Sequence, residues 1–326
     1  MNHFNQCFRF ILNFSIAVGF VCFFLTLPAY PSPAPNIQMT AGDFFKLGVE
    51  KMLDSNYRLA VKDFTEAIQL RSHFTAAYSN RCLANLQLGD YQNAIADCDR
   101  AIEFAPNNAE PYLNRGLARY RLGHYQAAIA DNDRAIALQP NNFKAYYNRG
   151  VASAMLGNYQ QAISDYNLAL TQIPQTSNLL LAEIYNERGL AHFQLLNLQT
   201  ALLDFSTALR LDPNNYRAYY NRGCVCGRSG DNKSAIADFT ASLKLQPNNA
   251  SAHFNRGVAY DLLGYKQAAI TDLQKAADNF AFHQETAAHR KTLDFLQNIR
   301  RQLPFLSEIA LVAKKSLFTL CTPSII

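Results

Sequence analysis

The chain has 326 residues, with 30 Lys+Arg against 25 Asp+Glu for a net charge of +5; 49% of its residues are apolar and 17% charged. So small a charge excess, with no basic tract, excludes a protein that tracks a phosphate backbone, and so apolar a composition excludes a disordered chain. At ordinary domain sizes the length would give about two globules, but the glycines and prolines recur periodically.

Between Arg9 and Asp43 no residue carries a formal charge, and Ile11–Leu27 reads ILNFSIAVGFVCFFLTL, polar only at Asn13, Ser15 and Thr26. Such a stretch lies at the short end of a spanning helix and just beyond a signal-peptide core, so it is directed to a membrane. Arg9, beside the α-amino group, favours the N-terminus staying inside and the rest crossing. The expectation is an exported or membrane-anchored protein whose bulk lies outside the cytoplasm, in the periplasm or an equivalent. Residues 1–29 are then a signal peptide or an anchor, and both fates stay open, because cleavage after Ala29 places Leu27 where a small residue is preferred. Residues 30–40 form a linker in which YPSPAPN carries three prolines and favours an extended spacer.

From there the chain repeats itself. Asn-Arg-Gly recurs at 114, 148, 221 and 255, always 34 residues apart except for one gap of two periods plus five. Seven units follow, at 41–74, 75–108, 109–142, 143–176, 182–215, 216–249 and 250–283, with an insert at 177–181 that either lengthens a helix or bulges as a loop. Each unit reads as two helices, the first ending at glycines such as Gly89, Gly123, Gly157, Gly230 and Gly264, the second at prolines such as Pro140, Pro213 and Pro247. Asp90 is placed to N-cap a second helix, and His124 holds the equivalent turn. The eighth place of each unit is small (Gly48, Cys82, Gly116, Gly150, Gly189, Gly223, Gly257) and the twentieth is always alanine, which lets two helices approach closely. Residues 284–303 read as a capping helix with Leu293, Leu296 and Ile299 on its apolar side, and Asp272 is expected to find Arg290 or Lys291 there. The apolar tail at 304–326 either folds back or serves as a membrane-surface or self-association element.

With Tyr78, Tyr112, Tyr146, Tyr185 and Tyr219 opening first helices, this pattern resembles the tetratricopeptide repeat over about three quarters of the chain. Its Tyr-x-Asn-Arg-Gly version is similar to that of bacterial, particularly cyanobacterial, tandem-repeat proteins. The resemblance implies an all-α fold, a right-handed α-α superhelix of seven helix pairs plus a C-terminal capping helix, with the first helices lining a concave groove.

Three sets of residues bear on function. The seventh place carries Arg81, Arg115, Arg149, Arg188, Arg222 and Arg256, and the twenty-third carries Asp63, Asp97, Asp131, Asp165, Asp204, Asp238 and Asp272. Because the arginine is missing only from the first unit (Leu47), which no second helix precedes, pairing between units is expected, Asp63 to Arg81 and Asp97 to Arg115, with a role in register. The sixth place gives Asn80, Asn114, Asn148, Asn221 and Asn255, interrupted by Glu187. The resemblance implies that this row faces the groove and bonds the backbone of an extended peptide, a task that suits an amide because it both donates and accepts. The alternative is that these amides are solvated or bond their own solenoid. Tyr120, Tyr147, Tyr220 and Phe254 flank the row, as pockets for a partner's side chains or as filling between helices. The residues that clamp a chaperone tail, Lys and Asn four apart in one unit, Asn in the next and Lys with Arg four apart in the third, do not occur in any three consecutive units.

No phosphate-cradling loop, His-Glu-x-x-His or paired metal-binding cysteine motif occurs, so no cofactor, metal site or catalysis is expected. Of the seven cysteines, Cys82 and Cys98 could face each other; two buried thiols are the expected state and a bridge the alternative. Cys224 and Cys226 project to different sides of one helix and should not bridge. The function expected is that of a non-enzymatic scaffold that holds another protein or an extended peptide. Nucleic acid is excluded, membrane contact is possible through residues 11–27 and 305–320, and a self-associating module is the alternative. A hydrolase with an unrecognised site is the remote one.

Overall fold

The computed structural model describes residues 38–302. The expectations for residues 1–29, for most of the 30–40 linker and for the tail from 304 lie outside the described residues. Within them the chain is all-α, fifteen helices in sequential pairs. The first helices are α1 (Ala41–Leu53), α3 (Thr75–Leu88), α5 (Ala109–Arg121), α7 (Phe143–Met155), α9 (Asn178–Gln194), α11 (Tyr216–Arg228) and α13 (Ala250–Leu262). The second helices are α2 (Tyr57–Leu70), α4 (Tyr91–Phe104), α6 (Tyr125–Leu138), α8 (Tyr159–Gln172), α10 (Leu198–Leu211), α12 (Asn232–Leu245) and α14 (Lys266–Phe282), and α15 (Thr286–Gln302) closes the series.

Local chemistry sets the boundaries. Asn108, Asn142, Asn215 and Asn249 accept backbone N–H bonds at the starts of first helices, and Asp90 and Asp231 do the same for second helices. These bonds satisfy donors that a helix leaves unpaired in its first turn. His124 sits at the N-cap of α6 but makes no side-chain cap bond, so capping by its ring is not what holds it there. Gly89 ends α3 at φ +78°, a left-handed conformation that glycine adopts without a Cβ penalty. The five-residue insert lengthens a helix: α9 begins at Asn178 and runs for 17 residues, with Leu181 buried.

The helices gather into two compact units, one ending at Leu156 and the other beginning at Gly157. In the first, the eighth place of each hairpin receives the side chain at place twenty-four. A Cβ on Gly48 would lie 2.5 Å from the Phe64 ring, and one on Gly116 would lie 3.0 Å from the Asn132 amide. Between them the same two places hold Cys82 and Cys98, which form a disulfide with Cα atoms 5.5 Å apart. The expectation of two free thiols is therefore corrected: the pair stands where the other hairpins press a large side chain onto a glycine, close enough for a covalent bond. In the second unit Phe205 meets Gly189, Phe239 meets Gly223 and Leu273 meets Gly257 in the same way. Cys226 is a free, buried cysteine.

The arginine row also departs from expectation. Arg81 donates Nε and Nη2 to the two oxygens of Asp97 in its own hairpin, at 2.9 and 2.6 Å, and the paths from Arg115 to Asp131, Arg188 to Asp204, Arg222 to Asp238 and Arg256 to Asp272 repeat it. The bidentate pair is thus within a unit, because the antiparallel second helix sets the aspartate directly opposite. The link between units comes from the remaining nitrogen. Nη1 reaches place twenty-five of the preceding second helix: Thr65 from Arg81, Asp99 from Arg115, Asp133 from Arg149, Asn167 from Arg188, Ser206 from Arg222 and Thr240 from Arg256. Arg81, Arg115, Arg149, Arg188 and Arg222 also lie 5.1–5.9 Å from the centroid of the tyrosine three residues earlier.

At the C-terminal end α15 packs Leu296 and Ile299 against α14, and Phe295 places its ring 6.1 Å from that of Phe254. Leu293, expected on the same side, is 42% exposed, because it falls one helical turn ahead of Leu296 on the solvent edge. Asp272 binds Arg256 and His253, the latter at 3.0 Å, rather than Arg290 or Lys291.

Candidate protein-binding face

Successive first helices pack on one another within each unit, α1 on α3, α3 on α5 and α5 on α7, then α9 on α11 and α11 on α13. Their outward-facing edges therefore form a shared polar and aromatic surface, on which the sixth place recurs once per helix.

In the first unit that row is half-buried and accessible. Asn80 donates Nδ2 to the carbonyl of Ala76, a bond within its own helix. Asn114 and Asn148 are half-buried, and Nδ2 of Asn114 is buried without an acceptor. Leaving such a donor unpaired costs about 1–3 kcal/mol. Tyr120 and Tyr147 are half-buried, and the Tyr120 ring lies 5.6 Å from that of Tyr125. Two charged residues that sequence reading did not single out stand beside them at the second place, Glu110 and Lys144. Burial holds the Lys144 ammonium below the usual lysine pKa, against the opposing pull of Glu110.

The second unit has the same places and a different chemistry. Asn221 is 2% exposed and donates to Oδ1 of Asn186 at 3.0 Å; Asn255, fully buried, donates to the hydroxyl of Tyr220 at 3.1 Å. Tyr220 and Phe254 are core residues, with the Tyr220 ring 5.8 Å from Phe239, so filling between helices is their role and not a pocket. Burial pushes the Tyr220 hydroxyl pKa well above its ordinary value. Glu187 is buried, accepts from Asn186 Nδ2 and from Arg217 Nη2, both at 3.2 Å, and Arg217 also reaches Glu183 at 3.4 Å. Burial first, then the neighbouring Glu183, raise its pKa from 4.5 to about 7, outweighing Arg217 and Asn186. The predicted row is thus real as a set of places, but Asn221 and Asn255 bond their own solenoid instead of offering free amides. The glutamate at Glu187, where the other hairpins of the row carry asparagine, was the available signal for this difference.

Among the described residues no group of three His, Cys, Asp or Glu side chains is placed to hold a metal ion, and no helix is long and apolar enough to cross a membrane.

Sequence profiles of the tetratricopeptide repeat match residues 113–177, 182–215, 205–237 and 250–279, and a further TPR repeat profile matches 83–123 and 225–264. Together they cover more than half of the chain. No curated protein matches it. Among solved structures, a chain of the APC/C hetero-tetramer Cut9–Hcn1 superposes on 68% of this chain with a TM-score of 0.60 at 20% identity, and 43% of that chain is covered, which shows a shared fold. YrrB, described as a TPR protein with an unusual peptide-binding site, is 24% identical over 60% of this chain and 97% of its own, with a TM-score of 0.47. MamA from Desulfovibrio magneticus RS-1 is 24% identical over 54% of this chain and 96% of its own, with a TM-score of 0.48.

Proposed function

The chain belongs to the tetratricopeptide-repeat family, and from that premise we propose that it is a non-enzymatic scaffold that holds an extended segment of another protein against its first helices. The observation that carries this reading is the row of half-buried amides in the first unit, one of which keeps a buried donor with no acceptor. Side-chain amides at a regular interval can bond the carbonyl and N–H groups of an extended backbone without selecting its sequence. The recurring Arg, Asp, Gly and Ala residues are absorbed by packing and register, which leaves the amides of Asn114 and Asn148 for a partner.

An extracytoplasmic location, with the N-terminal segment as signal or anchor, is part of the same proposal. The Cys82–Cys98 bridge supports it, since disulfides persist in oxidising compartments and are rare where thiols are kept reduced.

The test is photo-crosslinking of the full chain in its native host, with the probe placed at Tyr147. Replacing Asn80, Asn114 and Asn148 together by alanine is expected to abolish a crosslinked partner while leaving the helical signal intact. Retention of the same crosslink in that variant would sink the groove reading, and a crosslink only to a second copy of this chain would favour a self-assembling module.

A further inference from the structure

Besides the Cys82–Cys98 bridge of the first unit, Cys224 on α11 is disulfide-bonded, while Cys226 is free. The chain has seven cysteines, so the partner of Cys224 is Cys7, Cys22 or Cys321, each outside the described residues. The Cys224 side chain stands three residues on from Asn221 and four from Tyr220, on the same side of α11. Nδ2 of Asn255 on α13 approaches its sulfur at 4.0 Å. Cys224 therefore belongs to the first-helix face of the second unit. The other hairpins fill this ninth place with Val49, Leu83, Leu117, Val151, Leu190 and Val258. Packing there calls for a branched aliphatic side chain, and the cysteine is the exception.

We infer that Cys224 is bonded to Cys321, and that the apolar C-terminal tail is a built-in occupant that crosses α13 and covers the first-helix face of the second unit at α11. This rests on the proposed extracytoplasmic location, which removes the other two candidates. Cys22 lies within Ile11–Leu27 and Cys7 ahead of it, so a signal peptide takes both away, and an anchor keeps one in lipid and the other on the far side. Reach favours Cys321 independently. The way from α15 to α11 is three helix contacts, α15 on α14, α14 on α13 and α13 on α11, each about 8–10 Å between axes. Cys321 follows Gln302, the last described residue, by 19 residues, enough for about 60 Å of extended chain. A tether of that length holds the thiol at a roughly millimolar effective concentration, which a second copy in solution does not match. The tail also suits the seat: its only charges are Glu308, Lys314 and Lys315, so covering it removes mostly apolar surface from water. The bond forms by exchange. Both thiols lose their S–H bonds, one S–S bond forms between them, and two electrons and two protons pass to a disulfide oxidant of the compartment, which becomes a dithiol.

The experiment uses the full chain, purified oxidised, alkylated in denaturant without reductant, cut with trypsin and read by mass spectrometry. Cleavage after Arg222, Arg228 and Lys315 is expected to yield residues 223–228 joined to 316–326 through Cys224, with Cys226 alkylated. A link from Cys224 to Cys7 or Cys22 overturns the inference and the location reading together. An alkylated Cys224 beside an intact Cys82–Cys98 bridge overturns the inference alone, and loss of both bridges overturns both. A Cys224–Cys321 link that runs as a dimer on a non-reducing gel assigns the seat to a second copy's tail and overturns the built-in occupant. Seating is read by brief trypsin treatment of the native chain. Cleavage after Lys314 and Lys315 should be roughly tenfold slower in the parent than in Cys321→Ser, with the same helical signal in both. Equal rates would mean a bond without a seat and would overturn the covering of the face.

Discussion

Glu187 is the only acid at the sixth place, where the first hairpin carries Lys46 and the other five carry asparagine, and its environment opposes its charge. Its pKa is raised from 4.5 to about 7 by burial and by Glu183. For a carboxyl whose folded pKa exceeds its unfolded one, the folded chain keeps a proton that the unfolded chain has lost between those values. Stability therefore falls as pH rises from about 4.5 to about 7, and stays lower above it. The cost of ionisation in the fold is up to about 3 kcal/mol, taking one pKa unit as 1.36 kcal/mol. Glu187→Gln should accordingly be more stable than the parent at pH 8 and show no gain at pH 5, by urea denaturation at the two values. An equal difference at both would mean that the carboxyl does not titrate as its surroundings dictate. At this scale the sequence shows the exception to the row but not its partners: Arg217 is thirty residues away, and only the stacking of α9 on α11 brings them together.

Elements were more legible, because a period of 34 reports every helix boundary several times over. Turn chemistry was read from the glycines, and five of them, Gly89, Gly123, Gly157, Gly230 and Gly264, do take positive φ. The fifth hairpin breaks the pattern: Leu196 fills that place at φ +64°, 58% exposed, between α9 and α10. An L-residue in the left-handed region pays about 1 kcal/mol or more that glycine does not. Leu196→Gly should stabilise the chain by about 1 kcal/mol despite the greater entropy of an unfolded glycine, because the leucine side chain contributes little burial to offset the strain. A lower denaturation midpoint would show that Leu196 packs usefully. What the periodicity concealed was the third contact of each arginine. Place twenty-five is Thr65, Asp99, Asp133, Asn167, Ser206 or Thr240, residues alike only in offering an oxygen acceptor. A search for identical letters passes over them. Leu47 stands in the place of the arginine in the first described hairpin, before which no second helix is described for an Nη1 to reach, while the aspartate that answers each arginine lies in that arginine's own hairpin.

For the whole molecule, stacked hairpins have no single nucleus, and stability is close to a sum of repeat and neighbour terms. A disulfide joins α3 to α4, closing a loop of sequence separation 16 in the first unit, and Cys224 in the second unit is disulfide-bonded as well. Closing a loop of that length stabilises by about 3 kcal/mol in the chain-entropy account. Opening that bridge alone, by Cys82→Ala with Cys98→Ala, should lower the melting transition of the first unit and leave that of the second, so that a calorimetric trace of the variant splits or broadens where the parent trace is narrower. The hairpin itself supplies the control. Cys82→Gly with Cys98→Phe restores the glycine and aromatic knob seen at Gly48 and Phe64, Gly189 and Phe205, and Gly223 and Phe239. That variant should melt above the double-alanine one, because packing replaces the lost tether. If loss of the Cys82–Cys98 bridge instead shifts one undivided transition, the coupling between neighbours exceeds the local term, and the two units melt as one.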